Sequence, residues 1–216
     1  GGFPTDRGAD TEAEYQRQLA KVVAAIVQLN ADIVGLNEIE NDGFGEDSAI
    51  AQLTAEVSAQ SGVDWAYVVV EGADFVGSDS ITNAIIYRTD RVAETGTAVF
   101  TTDAPFDFGN RPPLAQTFHD LANEDEVTVV VNHFRSKGGC SDNAAAGDQD
   151  ANDGQGCWNA TRVQAAETLL AWIDGDPTGR DVDDVLVVGD LNSYGMEDPI
   201  QALVDGGMTD LQMAEL

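Results

Sequence analysis

The sequence predicts an α/β protein in four layers, α/β/β/α, with two mainly antiparallel sheets packed face to face and helices on the outer faces. Three observations carry this. Helix and strand signals run in the order helix, strand, helix, a run of strands, helix, strand, helix. Several strands are apolar enough to be covered on both faces, which stacked layers provide. The long central run of strands argues against a single open doubly wound sheet, the main alternative. At 216 residues the chain can build one domain with a substantial core, and no linker divides it, so 1–216 reads as a single domain.

Each element has a local cause. Residues 1–9 read as loop. Thr11-Glu12-Ala13-Glu14 fits a capping box, after which Leu19, Val22, Val23, Ile26 and Leu29 recur at helical spacing until Asn30-Ala31-Asp32. Ile33-Val34-Gly35-Leu36 is a short buried strand leading into Asn37-Glu38-Ile39-Glu40. Ser48 caps a helix that runs to about Gln60. Trp65–Val70, Asn83–Arg88 and Val92–Phe100 read as strands, with Thr89-Asp90 as a tight turn. Thr101–Pro113 reads as a Pro/Asp/Gly loop, and Leu114–Phe118 and Val127–Asn132 as strands joined through Asn123-Glu124-Asp125. A helix over Thr161–Ile173 follows. Then come Val185–Val188, four apolar residues expected to be buried on both faces, and a last helix near Glu197–Val204.

Composition narrows the class. The apolar share is 43%, as in folded globular proteins, and no apolar run approaches the ~20 residues that cross a bilayer. Acidic residues number 39 against 10 basic ones. Such a surface repels polyanions at long range and tolerates its own charge best in salt. The expected setting is extracellular or periplasmic, in a marine or halophilic bacterium, with an ordinary acidic secreted protein as the alternative. Cys140 and Cys157 are the only cysteines, too few for a thiolate zinc site. In an exported protein they would pair, closing a loop worth ~3 kcal/mol; in a cytosolic one they would stay thiols. The disulfide is the expectation.

Three strands end in polar residues: the first at Glu38, the Val127–Asn132 strand at Asn132-His133, and the last at Asp190 and Asn192. Oxygen donors with few histidines suit a hard cation such as Mg²⁺, Mn²⁺ or Ca²⁺, and a histidine beside it can serve as acid or as donor to a phosphoryl oxygen. Singly, each has a plainer explanation: an exposed strand-end glutamate, a structural histidine, a turn-capping aspartate.

Together, "DIVGLNEIEN", "NAIIYRTDRV", "RPPL", "VVVNHFRSKG" and "VLVVGDLNS" occur in an order that resembles the endonuclease/exonuclease/phosphatase family. The chain looks most like its bacterial extracellular nucleases, which carry a similar Cys-bracketed "GDGQG"-like loop before a helix. The resemblance runs from about Arg7 to the C-terminus. It implies Glu38 as a Mg²⁺ (or Mn²⁺) ligand and Asp190 as the group that orients or deprotonates water. Asn192 would hold the phosphate and the metal shell. His133 would contact the phosphate near the leaving oxygen, and Arg111 would approach the phosphate. Arg111, Arg135, Lys137 and Arg162 are expected as a basic patch around the site on an acidic body, unless Arg135 and Arg162 pair with acidic neighbours.

Departures from the family pattern are equally specific. The family opens with a strand ending in Asn and closes with an Asp-His pair, and neither is found here. The chain is therefore expected to be a fragment lacking the first and last strands, inactive alone. The family's nucleases orient the histidine with a Glu; here Asp79 is the nearest acidic candidate. Asp148-x-Asp150-x-Asn152 has the spacing of a Ca²⁺ loop, but Asp153 stands where such loops need Gly. A structural Ca²⁺ in the 142–153 loop is thus a candidate against a hydrated acidic loop.

The function expected is a secreted, Mg²⁺-dependent endonuclease acting on DNA with low sequence specificity, with no obligate protein partner. The alternatives are a phosphatase or phospholipase C-type enzyme of the same fold, acting on inositol phosphates or sphingomyelin, and a non-catalytic Ca²⁺-binding surface or adhesion module.

Overall fold

The computed structural model describes residues 3–141 and 143–214. The elements are α1 (Glu12–Leu29), β1 (Ile33–Glu40), α2 (Ala49–Ser61), β2 (Trp65–Tyr67), β3 (Ile81–Arg88), β4 (Val92–Phe100), β5 (Arg111–Asp120), β6 (Glu126–His133), α3 (Asn159–Asp174), β7 (Val185–Asp190), α4 (Asp198–Asp205) and α5 (Leu211–Ala214). One sheet has the order β1-β3-β2, the other β4-β5-β6-β7. All pairs are antiparallel except β6 with β7, which α3 connects as a crossover.

Strand alternation explains the four layers. In β3, Ile85 faces the inter-sheet core with Leu114, Phe118, Val129 and Val131, while Ala84 and Ile86 face outward. The outward pair meets Val23 and Ile26 of α1 and Ile50, Leu53 and Val57 of α2. In β6, Val130 faces the opposite way from Val129 and Val131, onto Ala165, Ala166 and Leu169 of α3 and Leu203 of α4. The expected α/β/β/α sandwich is observed.

The helix starts agree with their caps. The Thr11 hydroxyl accepts from the Glu14 amide, and the Glu14 carboxylate accepts from the Asp10 amide. Ser48 likewise accepts from Ala51. The N-cap of α3, Trp158, gives the helix no side-chain capping bond. Buried Asp148 caps α3 from the neighbouring loop, accepting from the Thr161 amide and hydroxyl, both at 2.8 Å.

Two expectations need correction. Val185–Val188 is not buried on both faces: β7 ends its sheet, and Leu186 is 42% exposed. β5 begins at Arg111 and not at Leu114. The pairing shifts between Arg111 and Leu114, and that irregularity lets Pro112 and Pro113 sit in a central strand that would otherwise exclude them. Arg111 is therefore a strand residue, opposite His133.

Candidate active site

The site lies where β1 of one sheet meets the ends of β6 and β7 of the other. The parallel register sets His133 beside Asp190, and the antiparallel one sets Arg111 across from His133. Glu38 arrives from the facing sheet. A bulge between Leu36 and Ile39 leaves it at φ 60°, a left-handed backbone that costs about 1–3 kcal/mol in a non-glycine residue. The result is a convergence: His133 Nε2 lies 4.0 Å from Glu38 Oε1 and 3.9 Å from Asp190 Oδ2. The ring is 4% exposed, the two carboxylates 65% and 57%.

A bridge of amides holds this corner in place. Asn37 Nδ2 donates to Asn83 Oδ1 at 2.7 Å and to the Asn132 carbonyl at 2.9 Å, while Asn37 Oδ1 accepts from the Asp190 amide at 2.9 Å. Asn83 Nδ2 donates to the carbonyls of Pro112 and Val131. One chain of hydrogen bonds thus joins β1, β3, β5, β6 and β7 across both sheets. Asn192, at φ 49°, donates from its amide to Asp190 Oδ1 and from Nδ2 to the Phe134 carbonyl, both at 2.8 Å. Gly189 makes the close approach of β7 to β6 possible, since a Cβ there would lie 2.1 Å from the Asn132 carbonyl oxygen.

Burial pushes the His133 pKa down, and the Arg111 guanidinium pushes it the same way, against Asp190 and Glu38, which raise it. Nδ1 is buried without a partner, so the carboxylates facing Nε2 favour the proton there.

Asp79 does not meet His133. Its carboxylate lies 3.2 Å from Arg111 and 3.5 Å from Arg7, so it holds the arginine beside the histidine and not the histidine itself. The expected basic patch also changes. Arg162 is fully buried and donates to the carbonyls of Arg135, Gln155 and Cys157, fixing the loop and not facing a ligand. Cys140 and Cys157 form the expected disulfide, with Cα atoms 5.4 Å apart. Among its described residues the loop does not gather a Ca²⁺ site: Asp148 caps α3, and Asp150 and Asp153 accept from the amides two residues on. Asp142 lies outside the described residues. Asn37 and Asn83 were missed in the sequence; the signal was an amide at position 83 opening an otherwise apolar run, "NAIIY", and an amide preceding Glu38.

No family model and no curated protein matches the sequence. Solved structures do match. An endonuclease/exonuclease/phosphatase family protein from Bacteroides thetaiotaomicron superposes with a TM-score of 0.60 at 14% identity, over 91% of this chain and 62% of that one. The chain has the endonuclease/exonuclease/phosphatase fold. The catalytic domain of human Nocturnin, solved with a bound sulfate, gives 0.58 at 14% identity over 93% of this chain and 71% of that one. A mannosyl-6-phosphatase from Bacteroides thetaiotaomicron gives 0.58 at 16% identity over 90% and 63%. The chain thus spans 62% of the length of the first of these proteins.

On this fold the implied divalent cation can be tested against the residues present. Among the described residues no group of three or more His, Cys, Asp or Glu side chains is gathered for a metal. Mg²⁺ does not need one, because it keeps several waters and binds through one or two carboxylates plus substrate phosphate. Glu38 and Asp190, exposed, convergent and composed of hard oxygen donors, fit that requirement. Thiolate ligation is excluded, since both cysteines are bonded.

Proposed function

We propose that this site hydrolyses phosphodiesters with a divalent cation, Mg²⁺ or Mn²⁺, and that the protein is a secreted endonuclease cutting DNA with low sequence specificity, of the bacterial extracellular type. The observation that carries the reading is the convergence of the Glu38 and Asp190 carboxylates on His133 Nε2, 4.0 and 3.9 Å away, at the ends of strands from both sheets.

Each residue then has a task. Glu38 would hold the cation, with Asp190 beside it; when bound, the ion supplies positive charge against the phosphoryl oxygens as charge builds on them. Asp190 has Oδ1 engaged by the Asn192 amide, which leaves Oδ2 to orient water and accept its proton. His133 keeps its proton on Nε2 and donates it in a hydrogen bond to a phosphoryl oxygen near the leaving group. Asn192 has one amide hydrogen fixed on the Phe134 carbonyl, so its remaining hydrogen is held at a constant angle for the phosphate. Arg111, braced by Asp79, places a guanidinium beside the same oxygens. The disulfide and the acidic surface support the exported setting.

A phosphatase reading is favoured by one observation, the likeness to a mannosyl-6-phosphatase. Nicking of supercoiled plasmid by the full-length protein with Mg²⁺ or Mn²⁺, run beside phosphoinositide, sphingomyelin and sugar-phosphate substrates with EDTA and Asp190→Ala controls, separates them. The expected result is metal-dependent nicking lost in both controls. Cleavage of lipid or sugar phosphate without DNA cleavage would overturn the nuclease reading.

A further inference from the structure

Beside the carboxylates, the loops leaving the same strand ends carry rings and cations in contact. Phe108 lies three residues before Arg111, Arg135 two after His133, Lys137 two further on, and Tyr194 two after Asn192. Two residues of chain span at most about 7 Å, which keeps Arg135 beside His133 and Tyr194 beside Asn192, and Phe108 and Lys137 join them through their contacts with Arg135 and Tyr194. The Arg135 guanidinium carbon lies 3.4 Å from the centre of the Trp158 ring and 5.5 Å from that of Phe108. Lys137 Nζ lies 4.5 Å from the centre of the Tyr194 ring and also pairs with Glu197.

This cluster is held firmly. The Arg135 amide donates to Asn110 Oδ1 at 2.8 Å, and its carbonyl accepts from buried Arg162. The side chain crosses Gly109 so closely that a Cβ there would lie 2.4 Å from Nη1. Trp158 Nε1 donates to the Gly138 carbonyl, and the preceding residue, Cys157, is anchored by the disulfide. Yet Phe108 is 76% exposed and Tyr194 is 78% exposed. Rings this exposed bury too little area to be kept for stability, and each lies against a cation. Arg135 and Lys137 are two of only ten cations on a chain with 39 acidic residues. Rings with open π faces, locked by adjacent cations, are what unpaired bases and their phosphates bind.

We propose that Phe108, Arg135, Trp158, Lys137 and Tyr194 form a stacking platform for the bases of single-stranded nucleic acid next to the reacting phosphate. This rests on the phosphodiesterase reading of the neighbouring site and names the form of substrate that site receives: an unpaired or frayed strand in preference to an intact duplex. The acidic body repels the rest of a long polyanion, so the platform supplies attraction that bulk charge does not.

The test is an equilibrium titration in EDTA and ~0.5 M NaCl, where charge repulsion is screened, using an oligo-dT octamer and an octamer of abasic sites with the same phosphates. Binding is read by anisotropy and by quenching of Trp158, with Trp158→Phe to identify that signal. The dT octamer should bind about tenfold more tightly than the abasic one and quench Trp158. Phe108→Ala and Tyr194→Ala should each cut that preference to about threefold or less, leaving abasic affinity and melting temperature unchanged. Equal affinity for the two octamers, or a preference that survives both substitutions, overturns the platform. Hydrolysis of an alkyl p-nitrophenyl phosphodiester with Mn²⁺ is measured separately on the full-length protein. Hydrolysis intact with base preference absent removes the platform alone, whereas absent hydrolysis removes the reading on which the platform rests.

Discussion

Asn83 and Asn132 lie buried beneath the site, and with Asn37 they spend their amides on one another and on strand carbonyls. Glu38 and Asp190 are next to this bridge in sequence and in space, yet their carboxylates stand 65% and 57% exposed and face the same imidazole. Apart from Asn132 Oδ1 and His133 Nδ1, the floor is satisfied internally and contributes to folding; the like-charged, exposed carboxylates contribute little to it until a cation arrives, Asp190 only through the Asn192 amide. The two regions should therefore separate under mutation, one governing stability and the other ligand response.

The largest effect should come from the carboxylates. In the full-length protein, Asp190→Ala should lower phosphodiesterase turnover by on the order of a thousandfold, as loss of a proton-accepting or charge-stabilising group does. Its melting temperature in EDTA should stay unchanged or rise slightly. Mn²⁺ should raise the melting temperature of the unsubstituted protein by mass action, and Glu38→Gln should abolish that rise. A large loss of stability in EDTA from either substitution would show that the carboxylates belong to the floor after all.

Gly189→Ala should do the reverse. At φ 114°, with a Cβ 2.1 Å from the Asn132 carbonyl oxygen, it has no relaxed solution. A cost of about 3 kcal/mol or more is expected, read as a fall in melting temperature on the order of 10 °C. Asn83→Ala follows, leaving the Pro112 carbonyl and one Asn37 amide hydrogen without their partner, at about 1–3 kcal/mol. If Asn83→Ala melts like the unsubstituted protein while losing Mn²⁺ protection, the division between floor and carboxylates fails.

The same contrast explains what the sequence disclosed. Alternation and capping placed α1, β1, α2 and the central strands because those signals are local. The polar ends of three strands disclosed Glu38, His133, Asp190 and Asn192 for the same reason: a polar residue closing an apolar run has to be accounted for. The amide bridge was not legible, since Asn37 and Asn83 acquire their meaning only when two sheets face each other. Asp79 was matched to the family's histidine-orienting Glu as the nearest acidic candidate, whereas its position is set by Arg111, and Arg111 was read as loop because Pro112 and Pro113 mask a strand. Arg162 looked like a surface cation because burial of an arginine depends on carbonyls from a loop that only tertiary structure brings to it.

His133 joins the two regions and gives the smallest effect. Its ring belongs to the buried floor, and burial with Arg111 lowers its pKa below the ordinary value of 6.5. The unfolded chain therefore binds the proton more readily than the native state. The resulting stability is complete above about pH 6.5 and is lost as pH falls through the lowered native pKa, with a slope of at most about 1.4 kcal/mol per pH unit. In EDTA, His133→Gln should flatten the melting-temperature profile in that window relative to the unsubstituted protein. Glu38→Gln should steepen the loss: it removes a carboxylate that favours the imidazolium, so the native pKa falls further and the acid penalty grows. If Glu38→Gln left the profile unchanged, the carboxylate would not be coupled to the ring, and its place at the site would rest on the fold alone.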